Sequence, residues 1–244
     1  MRIARIVTPD GPHYAYAEGD AWVPCTDPYE AFAAGGHPLA AGGPVTDAVL
    51  LAPTEPRLVV GVAQNGPGHP SPVQAWLKSP RTVVASGTPV ALRRDVGRVV
   101  IEGEVAVVIG RDTADVDAER AHEHVLGLTA VNDVSNPDRA AVDPRNFESK
   151  GGVGYTPLGP WIDTEADLDH AELEVRINGA LRVATGSHEL PASIAECIAY
   201  VSRWMPLGPG DVIMTGAPVS AFDAEPGDLV EITVAGARLV TPCV

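Results

Sequence analysis

The most unusual segment of this chain is IEGEVAVVI at residues 101–109. Its second half is a continuous apolar run, which is typical of a buried strand. Because side chains alternate between the two faces of a strand, Glu102 and Glu104 are predicted to point the same way. Gly103 removes bulk from the opposite face. Two carboxylates on one face of such a strand repel each other and resist burial, and a hard divalent cation, Mg²⁺ or Ca²⁺, would relieve that repulsion. The alternative interpretation is the exposed half of an amphipathic strand.

Two residues further along the chain extend this candidate site. Asp133 follows the apolar segment 126–131, at the end of a predicted strand, and would complete a set of three oxygen ligands with positions left for water and substrate. Lys150 is one of only two lysines; the other is Lys78. A lone lysine in an acidic protein is typically a solubilising surface residue. Near a metal ion, however, it would orient a carboxylate or stabilise an enolate oxygen.

The composition excludes several classes of protein. The 244 residues carry 17 Lys and Arg against 32 Asp and Glu, a formal charge of −15. This charge argues against nucleic acid and against an anionic membrane surface as partners. The three cysteines form no CxxC motif, so neither a zinc ribbon nor a redox pair is indicated. We expect reduced thiols and a cytoplasmic protein without a signal peptide or membrane span.

The order of predicted elements indicates an α+β chain dominated by strands. Residues 1–50 are predicted to form a small β-rich N-terminal domain, and residues 51–244 the main domain. Asn178-Gly179 predicts a hairpin between 173–177 and 181–184. A single long amphipathic helix is predicted from Pro191, with Ser193 and Glu196 as a capping box. Further strands are predicted at 2–7, 13–17, 21–23, 58–62, 98–109, 127–132, 211–214, 229–234 and 238–240, and a short helix at 117–126.

Taken in order, these segments resemble the fumarylacetoacetate hydrolase superfamily over residues 57 to 244. The segment 102–110 is similar to the family's metal-binding strand, and 131–135 to its third-ligand motif. Lys150 followed by Pro-Leu-Gly-Pro at 157–160 is similar to its lysine segment. Weaker motifs in the expected later positions are Asn178-Gly179, 207–213, 215–218 and Gly227-Asp228.

The resemblance implies a mixed β-roll catalytic domain, usually a homodimer, that acts on a 2-oxo acid, acylpyruvate-like or dienol-acid substrate. Its reactions are C–C hydrolysis, decarboxylation or keto–enol isomerisation through a metal-stabilised enolate. It implies Mg²⁺ or Mn²⁺ on the three carboxylates. The other candidate residues it implies are Lys150 and His69 for catalysis, and Asn65, Arg139, Thr215 and Gly216 for substrate binding.

Departures from the family pattern leave the reaction open. The family often carries Asn-Tyr-x-x-His followed three residues later by Glu, a pair that activates water. This chain keeps Asn65 and His69 but has Gly66 and Pro72 at the other two positions. A histidine without its carboxylate is a poorer base, which favours decarboxylation or isomerisation over hydrolysis unless Glu148 or Asp138 supplies the missing carboxylate. Two further hypotheses are a catalytically degenerate scaffold subunit and a member adapted to a biosynthetic cyclisation or dehydration.

Overall fold

The computed structural model describes residues 1–68 and 73–244, and strands dominate it. The strands are β1 (Arg2–Thr8), β2 (Gly11–Glu18), β3 (Ala21–Pro24), β4 (Val59–Ala63), β5 (Gln74–Lys78), β6 (Val83–Ala85), β7 (Val100–Ile109), β8 (Val125–Asn132), β9 (Thr156–Asp163), β10 (Glu172–Ile177), β11 (Ala180–Gly186), β12 (Val212–Met214), β13 (Ala221–Asp223), β14 (Leu229–Val234) and β15 (Ala237–Pro242). The α-helices are α1 (Pro28–Ala33), α2 (Pro137–Ala140), α3 (Phe147–Lys150) and α4 (Ile194–Trp204). Short 3-10 helices lie at Pro80–Thr82, Arg94–Val96, Ala118–His124 and Ser187–Glu189. None of the helices in these ranges has the length and apolar character needed to cross a bilayer.

Within the described residues the strands form two sheets. The larger runs in the order β3-β2-β1-β9-β8-β7-β12-β4-β5, with β13 on β7 and β6 on β9. Most of its pairs are antiparallel, but β12–β4 and β6–β9 are parallel. The smaller sheet has the order β11-β10-β14-β15. This mixed, strand-dominated architecture confirms the predicted fold class.

Strand β7 lies in the interior of the larger sheet, between β8 and β12, and its apolar half is fully buried. Gly103 lies where this sheet meets the smaller one. A Cβ added there would lie 2.7 Å from Cγ2 of Val175 and 3.4 Å from Ile232. The close approach confirms that Gly103 clears the face opposite Glu102 and Glu104, and it fixes which face of β7 carries the carboxylates.

Local predictions are confirmed in part. Asn178, in a left-handed conformation (φ 54°), and Gly179 (φ 78°) form the turn between β10 and β11. The capping box of Ser193 and Glu196 is present at the start of α4. The placement of Pro191 in the first turn is wrong, because α4 begins after the cap at Ser193. The short helix predicted at 117–126 is also shorter than expected: a 3-10 helix ends at His124, and the two apolar residues that follow are drawn into the buried strand β8.

The first three strands extend the larger sheet rather than standing apart from it. Strand β1 pairs antiparallel with β9, with Ile3 opposite Ile162. Both side chains are buried in a common apolar cluster with Tyr29 and Leu126. The division of the chain into domains at residue 50 remains a prediction.

Candidate metal and active site

The register of β7 against β8 brings three carboxylates together. Gly103 pairs with Asn132 in the antiparallel β7–β8 ladder. Glu102 precedes Gly103 and Asp133 follows Asn132, so these two residues lie side by side. The Asp133 amide donates to the Glu102 carbonyl oxygen at 2.9 Å. One carboxylate oxygen from each of Glu102, Glu104 and Asp133 lies within 4.8 Å of the others. Residues that sequence spacing could only suggest as neighbours therefore form one cluster.

Burial and neighbouring charges shift the pKa values of the carboxylates in this cluster. Glu104 is 5% exposed and Asp133 is fully buried, whereas the side chain of Glu102 is 24% exposed. Burial raises the pKa of Glu104 well above its usual value, and the charges of Asp133 and Glu102 raise it further. Burial alone would also raise the pKa of Asp133, but two neighbouring lysine ammonium groups outweigh it and lower that pKa. Among the described residues, ammonium groups contact two of the three carboxylates, Asp133 and Glu102, and none contacts Glu104.

The two lysines of the chain both reach this cluster. The Lys78 ammonium is buried and donates to Oδ1 of Asp133, to the Val134 carbonyl at 3.0 Å and to the Tyr155 carbonyl at 2.6 Å. The Lys150 ammonium donates to Oε2 of Glu102 and to Oδ2 of Asp133, each at 2.5 Å. Burial would lower the pKa of Lys150, but the Asp133 and Glu102 carboxylates outweigh it and raise that pKa. Lys150 is therefore a permanent cation beside the carboxylates.

Helix α3 and the indole of Trp76 position the Lys150 side chain beside the carboxylate cluster. Lys150 ends α3, a single helical turn that begins after Asn146. Asn146 adopts a left-handed conformation (φ 61°), which asparagine tolerates better than most residues. The indole of Trp76 covers the ammonium, with its ring centre 4.9 Å from Lys150 Nζ. Gly61, opposite Trp76 in the β4–β5 pair, leaves the space for this indole, since an added Cβ would lie 2.2 Å from its ring.

Sequence reasoning missed Lys78 and Trp76 as site residues. The rarity of lysine could have pointed to Lys78, because the chain contains only two lysines. In the structure both of them contact Asp133. No comparable signal marks Trp76. Tryptophans usually anchor cores or interfaces, and only the strand pairing reveals that this one lies over an ammonium group.

Three of the predicted substrate-binding residues are engaged in internal hydrogen bonds. The Asn65 side-chain amide donates to the Ala192 carbonyl at 2.9 Å and to the Thr215 carbonyl at 2.8 Å, and it accepts from the Ala192 amide at 2.7 Å. The Thr215 hydroxyl donates to the Val105 carbonyl at 2.9 Å. The Gly216 amide donates to Oε2 of Glu104 at 2.7 Å. This network holds Glu104 in place, and direct contacts with substrate remain a prediction.

Arg139, the fourth predicted substrate-binding residue, lines a cavity of about 890 Å³ that Lys150 also lines. Both its Nε, at 2.7 Å, and its Nη2 donate to Oε2 of Glu148. The pair is partly exposed. His69 and Pro72 lie outside the described residues, so the predicted catalytic histidine is not placed.

The donor set fits a divalent cation. All three groups are carboxylates, the ligand type that Mg²⁺, Mn²⁺ and Ca²⁺ prefer. Two lysine ammonium groups face three carboxylates, and no cation within the described residues pairs with Glu104. A metal ion held by the three carboxylates would supply the missing positive charge.

Residues 52–243 match the family described as "Fumarylacetoacetate (FAA) hydrolase C-terminal". The chain belongs to the fumarylacetoacetate hydrolase family. Residues 1–53 match a second family, "Rv2993c-like, N-terminal". Members of the fumarylacetoacetate hydrolase family typically depend on a divalent metal, in keeping with the three carboxylates.

Several proteins are similar to this member of the fumarylacetoacetate hydrolase family. Protein Rv2993c of Mycobacterium tuberculosis is 35% identical over 99% of this chain and 97% of its own length. The crystal structure of 5-carboxymethyl-2-hydroxymuconate delta-isomerase from Mycobacterium smegmatis has a TM-score of 0.91 and 37% identity, and the match covers 100% of this chain and 99% of that one. Oxaloacetate tautomerase YisK of Bacillus subtilis is 32% identical over 72% of this chain and 61% of its own length. Isomerases and tautomerases are therefore among its homologues.

Proposed function

We propose that this protein is a divalent-metal-dependent isomerase that interconverts the keto and enol forms of a 2-oxo acid through a stabilised enolate. The observation that carries the proposal is the Lys150 ammonium, held 2.5 Å from both Glu102 and Asp133 at the partly exposed edge of a buried carboxylate cluster. An isomerase and a tautomerase among its relatives support the same reaction type.

The proposed metal ligands are Glu102, Glu104 and Asp133, with Mg²⁺ or Mn²⁺ as the expected ion and Ca²⁺ as an alternative. When bound, the ion would act as a Lewis acid that stabilises negative charge on the 2-oxo group. The remaining chemistry belongs to the protein. Lys78 holds Asp133 in one orientation, and the Gly216 amide does the same for Glu104. The ligands are therefore fixed before any substrate arrives, which lowers the cost of organising the site.

Lys150 is proposed to stabilise the oxygen that becomes negative in the enolate. Because the carboxylates raise its pKa, its ammonium stays protonated and acts as a fixed positive charge rather than as a base. The proton at the substrate carbon is assigned to His69, as the sequence predicts. Isomerisation needs no activated water, so Pro72 in place of the family's glutamate is compatible with it and disfavours hydrolysis.

Calorimetry tests the site directly. Mg²⁺ is titrated into the protein, and oxalate, an enolate mimic, into the Mg²⁺-loaded protein. We expect Mg²⁺-dependent oxalate binding that Glu104→Gln abolishes and that Glu18→Gln, a substitution at an exposed glutamate, leaves unchanged. Wild-type protein that binds neither Mg²⁺ nor oxalate would contradict the proposal and favour the scaffold hypothesis.

A second assay separates the reactions. The enol absorbance of oxaloacetate reports isomerisation, pyruvate release reports decarboxylation, and loss of acetylpyruvate reports hydrolysis. We expect faster enol–keto conversion that Lys150→Met lowers by about 100-fold or more, in the range for loss of one electrostatic stabiliser, while Mg²⁺ binding is retained. Dominant acetylpyruvate cleavage would overturn the isomerase assignment. We also expect a homodimer, which sedimentation equilibrium would test, and a cytoplasmic location.

A further inference from the structure

The side chain of Asn65 is buried, and both of its polar atoms are bonded to the main chain. Asn65 lies just beyond the end of β4 and is 2% exposed. Its Nδ2 donates to the carbonyl oxygens of Thr215 at 2.8 Å and Ala192 at 2.9 Å, and its Oδ1 accepts from the Ala192 amide at 2.7 Å. A side-chain amide engaged in this way has little hydrogen-bonding capacity left for a substrate.

The bond from Asn65 to Thr215 reaches Glu104 through a single peptide group. The Thr215 carbonyl and the Gly216 amide belong to one planar trans peptide unit, so their C=O and N–H bonds point in opposite directions. Asn65 holds the oxygen of this unit, and the N–H of the unit donates to Oε2 of Glu104 at 2.7 Å. Fixing the direction of the carbonyl therefore fixes the direction of the N–H that faces the carboxylate.

This peptide is followed by a glycine, so its orientation depends on contacts from outside. Gly216 has a φ of 104°, and glycine populates positive and negative φ about equally well. Rotation of the peptide by half a turn would aim the Thr215 carbonyl oxygen at Glu104 in place of the N–H donor. An added Cβ on Gly216 would lie 2.4 Å from the Asn65 carbonyl oxygen, so a bulkier residue at 216 could not supply the restraint instead.

Glu104 depends on this donor more than the other two carboxylates depend on theirs. Ammonium groups contact Glu102 and Asp133, whereas no cation in residues 1–68 and 73–244 pairs with Glu104. Within the same ranges, the Gly216 amide is the one hydrogen-bond donor to the Glu104 carboxylate. Groups that orient a metal-binding carboxylate in this way strongly affect the affinity for the metal.

We infer that Asn65 is a positioning residue for the metal site rather than a substrate ligand: it sets the orientation of the 215–216 peptide and, through that peptide, of Glu104. This role rests on the proposed function, which makes Glu104 a metal ligand. It differs from the substrate contact that the family resemblance implies for Asn65. Loss of the Asn65 amide should therefore weaken metal binding and leave the binding of an oxo acid to the metal-loaded protein unchanged.

A matched pair of buried asparagines tests the inference. Asn65→Leu removes the amide while keeping the approximate shape and the charge of the side chain. Asn136→Leu makes the same change at a fully buried asparagine whose Nδ2 donates to the Arg93 and Arg98 carbonyls, at 2.9 and 3.1 Å, outside the carboxylate cluster. Each protein is titrated by calorimetry with Mg²⁺ and then with oxalate, and the electron paramagnetic resonance spectrum of bound Mn²⁺ is recorded. Urea unfolding in EDTA measures the loss of stability in each variant.

We expect Asn65→Leu to weaken Mg²⁺ binding by about 10- to 100-fold, the range for loss of a group that orients a metal ligand. The spectrum of bound Mn²⁺ should change as well, whereas the affinity for oxalate at saturating Mg²⁺ should not. Asn136→Leu should lose comparable stability but keep the wild-type Mg²⁺ affinity and Mn²⁺ spectrum. If Asn65→Leu does not fold, Asn65→Ser, which also removes the amide, carries the same expectations.

Unchanged Mg²⁺ affinity in a folded Asn65 variant would overturn the inference, and so would equal weakening of Mg²⁺ binding by Asn136→Leu. Weaker oxalate binding with unchanged Mg²⁺ affinity would show that Asn65 contacts the substrate after all. Wild-type protein that binds no Mg²⁺ would instead overturn the proposed function.

Discussion

The carboxylate cluster and the Arg139–Glu148 pair at the neighbouring cavity both contain ion pairs, but those of the cluster are buried and the Arg139–Glu148 pair is partly exposed. Around Asp133, two lysines and two further carboxylates are held with little access to water. A short distance along the chain, Arg139 and Glu148 form a pair whose side chains are 36% and 49% exposed. Burial magnifies every charge in the first region, whereas water screens the second. We therefore expect substitutions in the cluster to change the free energy of unfolding strongly, and substitutions in the Arg139–Glu148 pair to change it little.

The largest effect is expected for Lys78→Met. Its ammonium is the fully buried partner of Asp133 and of two backbone carbonyl oxygens. Among the described residues, its removal leaves Oδ1 of Asp133 and the Val134 carbonyl without a donor, and leaves the Tyr155 carbonyl with the Val134 amide at 3.2 Å alone. Breaking a buried pair on one side costs about 3–5 kcal/mol. Urea unfolding would measure it, with Arg139→Met as the matched loss of a cation from the exposed pair. A loss below about 1 kcal/mol for Lys78→Met would remove the distinction between the two regions.

Glu104→Gln is expected to stabilise the metal-free protein. Because the folded-state pKa of Glu104 is raised, its contribution to stability is greatest below its unfolded pKa and is lost as pH rises through the folded value. At a pH above its folded-state pKa the ionised carboxylate therefore destabilises the fold, and the neutral amide removes that penalty. Unfolding in EDTA should show the gain. Addition of Mg²⁺ should stabilise wild type but not the variant.

A smaller effect, on binding alone, is expected for Glu148→Gln. The substitution weakens the contact that neutralises Arg139 and leaves its guanidinium available to an anion at the cavity. Affinity of the Mg²⁺-loaded protein for oxalate should rise about threefold to tenfold. The free energy of unfolding should change by less than about 1 kcal/mol, as for other exposed pairs. Weaker oxalate binding would indicate that Glu148 itself supports the ligand.

Phe147→Ala is expected to have the smallest effect on folding. The ring is 83% exposed, so its loss should change the free energy of unfolding by at most about 0.5 kcal/mol. Thermal unfolding would check this. A loss of several kcal/mol would show that Phe147 packs against another surface in solution, such as a second copy of the chain.

Several local features of the fold and of the carboxylate cluster could be predicted from the sequence. The alternation of Glu102 and Glu104 about Gly103 predicted a shared face, since the side-chain period of a strand does not depend on its neighbours. The hairpin at Asn178-Gly179 and the capping box at Ser193 depend on a few adjacent residues, and both are present. The error at Pro191 concerns a boundary, where a proline is compatible with either side of the cap.

The chemical groups of the site can be read from the sequence alone: carboxylates at strand-compatible positions, two lysines in the whole chain, and a resemblance that named the family. Which of these groups meet depends on the tertiary fold. The β7–β8 register placed Asp133 beside Glu102, the end of β5 brought Lys78 beneath it, and α3 carried Lys150 over both. The same packing engaged Asn65 and Thr215 in internal hydrogen bonds. Such contacts join residues up to 150 positions apart. They depend on strand order and sheet packing, which local propensities do not specify.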